Sequence, residues 1–96
     1  MGRAILLAHE ATHVWQWQNR AVTGYSPLAA ASENLQMRDP YVYELEPGKA
    51  FLDYGFEQQA RMVGDYVCEV SRNPRSAKSR ALMDVLAPVF GPQLRR

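Results

Sequence analysis

The sequence predicts a mainly α fold of about four helices, with at most a short strand or hairpin. Three observations carry this. Residues 3–19 contain no helix breaker. Two later stretches space their apolar residues at threes and fours, the period of one helix face. A single run, Tyr41-Val42-Tyr43-Glu44-Leu45, alternates like a strand. With 96 residues and short linkers, the chain is expected to be one domain over 1–96, ordered from about 3 to 88.

The first helix spans 3–19. On its wheel Leu7, Ala11 and Val14 share one side, and Ile5, Leu6 and Trp17 lie with His9 and His13 on the other. A helix apolar on nearly all sides is expected to be central and buried. Gly24 and Pro27 interrupt the chain, and Ser26-Pro27 opens a second helix as N-cap and first residue. That helix runs to about Met37, ahead of Asp39-Pro40. After the Tyr41–Leu45 run, Glu46-Pro47-Gly48-Lys49 reads as a turn. Leu52, Phe56, Ala60, Val63, Val67 and Val70 then mark a long amphipathic helix over 51–71, ended by Asn73-Pro74. Ser76 caps a last helix over 77–88, with Ala81, Leu82, Val85 and Leu86 on one side. Gly91-Pro92 closes it, and the tail is expected to fray.

Composition narrows the function. The 47% apolar and 22% charged fractions exclude a disordered chain, a collagen-like fibre and a disulfide scaffold. Net charge is +1, which gives no reason to expect nucleic acid as a partner. Arg72, Arg75, Lys78 and Arg80 form a basic cluster, read as a solvated face. Cys68 is the one cysteine and reads as a small buried hydrophobe. No apolar run reaches the roughly 18 residues a membrane span needs, so no membrane partner is expected. No signal-peptide core precedes His9-Glu10. The expected compartment is the cytoplasm, with leaderless export as the other route.

The chemistry concentrates in His9-Glu10-Ala11-Thr12-His13, an H-E-x-x-H that holds both histidines of the chain. On a helix the two are about 40° apart and one turn along. Imidazoles so placed can share one zinc ion at about 2.0–2.1 Å. Glu10 lies about 100° round from His9. From there it reaches a water at the metal without ligating, the position of a general base. The plainer alternative is a pair of core histidines making ordinary hydrogen bonds.

A catalytic zinc takes three protein ligands and keeps one open position. No third histidine exists, and the metzincin extension after His13 is absent. The third ligand is therefore a carboxylate or Cys68. Glu57 leads, about 60° from Ala60 at the margin of the apolar stripe, where a carboxylate wants a partner. A pair with Arg61 is its alternative use, and Asp53 and then Asp65 follow as ligand candidates. For an oxyanion only tyrosine remains, with Tyr66, Tyr54 and Tyr43 as candidates. Trp15 and Trp17 read as core and groove wall. Trp17, on the histidine side, is a candidate substrate-binding residue with Tyr43, and Gln16 can hydrogen-bond near the site.

His9-Glu10-x-x-His13 with a downstream Glu57 on a second helix resembles the gluzincin group of zinc metallopeptidases. The stretches His9-Glu-Ala-Thr-His-Val-Trp-Gln-Trp-Gln18 and Tyr54-Gly-Phe-Glu-Gln-Gln-Ala60, with Asp65-Tyr66, look like the small zincin-like domains of Vgr-related bacterial proteins. Those are associated with type VI secretion and related contractile systems. The resemblance covers about residues 4–67. It implies a compact zincin-like core, a gluzincin-like metallopeptidase with one zinc, and Glu57 as the third ligand, fixed by the Glu-Gln-Gln-Ala run. It implies a peptide, protein or secretion-system partner. Three departures stand out. Only eight residues precede His9, where larger gluzincins have a sheet. Arg61 stands four after Glu57, where gluzincins often carry an acidic residue that orients a histidine ligand. No histidine remains for the oxyanion. The alternative reading is a non-catalytic, zincin-derived accessory or docking domain of a secretion system. The apolar surface of the first helix also fits a homodimer.

Overall fold

The structure, a computed structural model, describes residues 2–36 and 39–91. Five α-helices follow one another: α1 (Gly2–Gln18), α2 (Arg20–Thr23), α3 (Pro27–Gln36), α4 (Phe56–Arg72) and α5 (Ala77–Phe90). A 3-10 turn, Phe51–Asp53, precedes α4. No strand occurs among the described residues, so the mainly α reading holds. The expected helix end at Met37 and the tail beyond Gly91 lie outside the described residues.

The caps explain the boundaries. The Ser26 hydroxyl accepts the N–H of Ala29 at 3.0 Å, and Pro27 needs no donor as the first helical residue. Ser76 accepts from the N–H of Ser79 at 3.0 Å and starts α5. That helix runs past Pro88 to Phe90 and stops at Gly91, whose φ of 44° is positive. At the turn before the 3-10 segment, Lys49 N–H donates to Glu46 C=O at 3.1 Å, with Gly48 at φ 80°. Few residues but glycine take that conformation.

Two expectations need correction. The helix expected over 51–71 is broken at Tyr54-Gly55, both in extended backbone conformations. The apolar spacing runs through Leu52 and Phe56, but the chain turns between them. The other concerns α1, which is a surface helix rather than a buried central one. Leu6, Leu7, Val14 and Trp17 are exposed, and only Thr12 and Gln16 are buried on it. The wheel gave two apolar sides, and a small domain has only one core for them to share.

That core gathers Phe51, Tyr54, Met62, Tyr66, Leu82 and Leu86. Trp15, from α1, packs its ring 5.0 Å from Phe90 and 6.2 Å from Phe51, as expected for a core residue. Helix α4 lies between α1 and α5. Its approach to α1 is close because Ala60 and Gly64 are small: a Cβ on Gly64 would sit 3.2 Å from Ile5 Cγ2. Cys68 is half-buried rather than fully buried, and Arg72, Arg75, Lys78 and Arg80 are exposed as expected.

Tyr41–Leu45 forms no strand: Tyr41 lies in a turn and 42–45 have no regular structure. Side chains hold it instead. Gln58 Nε2 donates to Val42 C=O at 2.7 Å, and the Tyr43 hydroxyl donates to Asp65 at 2.6 Å. No described helix is long and apolar enough to cross a membrane.

Candidate metal centre

Helix α1 sets His9 and His13 one turn apart, with ring centroids 5.0 Å apart. Helix α4 presents Glu57 in its first turn. His9 Nε2 lies 3.1 Å and His13 Nε2 2.9 Å from the same oxygen, Glu57 Oε1. One ligand atom from each residue falls within 4.8 Å of the others. The side chains are 19%, 19% and 17% exposed, so solvent reaches the cluster. Tetrahedral zinc with bonds of about 2.0–2.1 Å separates its ligands by about 3.3 Å. The two His–Glu57 separations lie within a few tenths of an ångström of that value, so two imidazole nitrogens and one carboxylate oxygen make a donor set that suits zinc.

The rest of α4's first turn explains how Glu57 comes to face α1. Gly55 has no side chain to cap the helix, and Glu33 of α3 takes over. Its two carboxylate oxygens accept the N–H groups of Phe56 at 2.9 Å and Glu57 at 3.2 Å. A carboxylate at a helix N-terminus also faces the positive end of the helix dipole. Gly55 makes room: a Cβ there would lie 3.0 Å from the Glu33 carboxyl. Gln58 Oε1 adds an acceptor for the Gly55 N–H at 2.8 Å.

Behind the histidines sits a buried polar chain. His13 Nδ1 is 2.8 Å from Gln16 Oε1. Gln16 Nε2 donates to Phe56 C=O and to Gln59 Oε1, both at 3.0 Å. Gln59 Nε2 donates to Tyr54 C=O at 2.8 Å.

Glu10 is exposed beside the cluster on α1. Trp17 is also exposed on that helix, with the Arg20 guanidinium 4.3 Å over its ring. The tyrosines that stand by the histidines are Tyr41, 6.0 Å from His9, and Tyr25, 6.1 Å from His13 between ring centroids. Those singled out from sequence are engaged elsewhere. Tyr66 is in the core with its hydroxyl toward Met83 Sδ at 3.6 Å. The Tyr54 hydroxyl accepts the Glu46 N–H. Tyr43 is bonded to Asp65, and burial, reinforced by that bond, pushes its hydroxyl well above the usual tyrosine range. Asp65 also receives Arg61 Nε at 3.1 Å, and Asp53 closes the 3-10 turn by accepting the Ala50 N–H. Of the acidic candidates, Glu57 alone joins the histidine pair. Sequence reasoning missed Tyr25, Tyr41 and Glu33. Only contacts between segments distant in the chain identify them, and the local pattern around each carries no such signal.

No family model matches the chain, and no solved structure matches it. A curated protein does: the type VI secretion system spike protein VgrG2b of Pseudomonas aeruginosa, 40% identical over 76 residues. The match takes in 78% of this chain and spans 8% of the length of the spike protein. Most of the chain is therefore similar in sequence to one short segment of a Vgr spike protein of type VI secretion.

Proposed function

We propose that the chain is a gluzincin-like zinc metallopeptidase domain associated with a bacterial type VI secretion system. The observation that carries the reading is the convergence of His9 Nε2, His13 Nε2 and Glu57 Oε1 from two helices, with Glu10 exposed next to His9. His9, His13 and Glu57 would hold one zinc ion. When bound, zinc supplies Lewis acidity, polarising a peptide carbonyl and making a water easier to deprotonate.

The chain's own groups account for the proton traffic. The Glu10 carboxylate takes a proton from the attacking water as its oxygen bonds to the carbonyl carbon. The same carboxylate returns that proton to the amide nitrogen as the C–N bond breaks. Glu10 can play both parts because it is not one of the ligands. Trp17 is exposed on the same helix and offers an apolar surface to a substrate side chain.

The test is elemental analysis followed by a peptide-library assay. Wild type should carry about one zinc per chain, lost in His13→Ala and Glu57→Ala. Glu10→Gln should keep the zinc and lose peptide cleavage. A protein that takes up no zinc on soaking refutes the reading. A second reading is favoured by the exposed Leu6, Leu7, Val14, Val22, Leu28 and Leu35: a docking domain, in which Glu10→Gln changes nothing and changes at these leucines disrupt a partner complex.

A further inference from the structure

The orientation of a side-chain amide is ordinarily ambiguous, because its oxygen and nitrogen look alike. Here two backbone carbonyls remove the ambiguity. Tyr54 C=O can only accept, so the end of Gln59 that faces it at 2.8 Å is Nε2. Gln59 must then turn Oε1 toward Gln16. Phe56 C=O likewise can only accept, so the end of Gln16 at 3.0 Å from it is Nε2. That nitrogen spends its two hydrogens on Phe56 C=O and Gln59 Oε1. Gln16 Oε1 is left as a pure acceptor 2.8 Å from His13 Nδ1. Turning either amide over would set oxygen against oxygen at about 3 Å in a buried site, since Gln16 and Gln59 are 0% and 1% exposed.

His13 Nδ1 must therefore carry a hydrogen. In a neutral ring that binds a metal the lone pair then sits on Nε2, the atom that faces Glu57 Oε1. Metal-ligating histidines are commonly held in this way by a partner on the other nitrogen. In this chain that partner is a neutral carboxamide from the histidine's own helix, three residues on. It is anchored to the carbonyls of the two residues that flank Gly55, just ahead of Glu57.

We infer that Gln16 and Gln59 are positioning residues, a buried carboxamide relay that fixes the Nδ1–H form of His13 and aims its Nε2 at the metal position. The effect on metal affinity rests on the zinc reading above; the tautomer does not. The relay also ties the direction of His13 to the first turn of α4, so that two ligands from different helices keep one register.

Two measurements test it. Nitrogen-15 NMR of the imidazoles in wild-type, zinc-free protein reads the hydrogen on Nδ1 directly. His13 should show a protonated Nδ1; a bare Nδ1 overturns the inference without any variant having to fold. Zinc affinity by chelator competition then compares Gln16→Met, Gln59→Met and Gln16→Glu. Gln16→Met should release the tautomer and weaken zinc binding by about 10–100-fold, the usual consequence of losing such a partner. Gln59→Met should weaken it less. Gln16→Glu keeps an acceptor for Nδ1–H, at a cost in stability because its second oxygen faces Phe56 C=O and Gln59 Oε1, and should preserve the Nδ1 hydrogen that Gln16→Met no longer fixes, an outcome that packing alone does not give. Unchanged affinity and unchanged tautomer in a folded Gln16→Met protein refute the relay. Failure of wild type to bind zinc refutes the metal reading instead, and leaves the NMR result to decide the relay.

Discussion

Glu33 and Gly55 should be energetically coupled, and the cost of Gly55→Ala should depend on Glu33. The Glu33 carboxylate accepts two N–H groups at the start of α4. Losing a helix cap costs about 0.5–2 kcal/mol, and losing a negative charge at the dipole's positive end about 0.3–1 kcal/mol. Glu33→Ala should thus cost about 2 kcal/mol. At about 4–8 °C per kcal/mol for a domain of this size, the melting temperature should fall by about 8–16 °C. Gly55 is not glycine for its backbone, since φ −64° and ψ 163° suit any residue. It is glycine for space, because a Cβ would meet the Glu33 carboxyl carbon and both oxygens at 3.0 Å. Gly55→Ala in wild type must shift that carboxylate by a few tenths of an ångström, weakening its two hydrogen bonds, and should cost about 1–2 kcal/mol. In a Glu33→Ala background the space is free, and the cost should shrink to what the N-cap preference for glycine over alanine leaves. Thermal and urea unfolding followed by circular dichroism on the four proteins gives the coupling. Equal cost of Gly55→Ala in both backgrounds refutes the steric argument, and a Glu33→Ala cost below about 0.5 kcal/mol refutes the capping argument.

Other outcomes follow from the same contacts. Spectroscopic titration should show a phenol, assigned to Tyr43, that ionises well above the usual tyrosine range, since burial and then Asp65 raise its hydroxyl. A raised folded value means that this contribution to stability is complete below the unfolded value of about 10 and is lost as pH climbs above it. Tyr43→Phe should therefore remove the late phenolate and flatten the alkaline loss of stability. Gly64→Ala should cost about 1–3 kcal/mol by overpacking α1 against α4, because its Cβ would reach Ile5 Cγ2 at 3.2 Å; unchanged unfolding would mean that the helices separate freely. Zinc should raise the melting temperature of wild type and of Glu10→Gln alike, and should not raise that of Glu57→Ala.

Local chemistry made most of the helices legible. Ser26-Pro27, Asn73-Pro74 and Ser76 are caps and breakers that act within a few residues, and the structure uses each where the sequence suggested it. The histidine pair was legible for the same reason, since a spacing of four on one helix fixes the two rings one turn apart. Glu57 was legible only as a preferred choice among acidic residues, because its partners lie on another helix. The break at Gly55 was hidden by an apolar rhythm that Leu52 and Phe56 happen to continue.

The sequence by itself determined the helical class, the helix ends at Ser26-Pro27, Asn73-Pro74 and Ser76, and the H-E-x-x-H pair, because turn chemistry and helical period are short-range. Tertiary structure decided which face of α1 meets the core, and left Leu7 and Val14 outside it. It also chose Glu57 over Asp53 and Asp65, sent Glu33 to the start of α4, and joined Gln16 to Gln59 behind His13. Each of those depends on how two helices lie against each other. That is set by the small residues between them, Ala60 and Gly64, and by buried amides that must find partners across the interface.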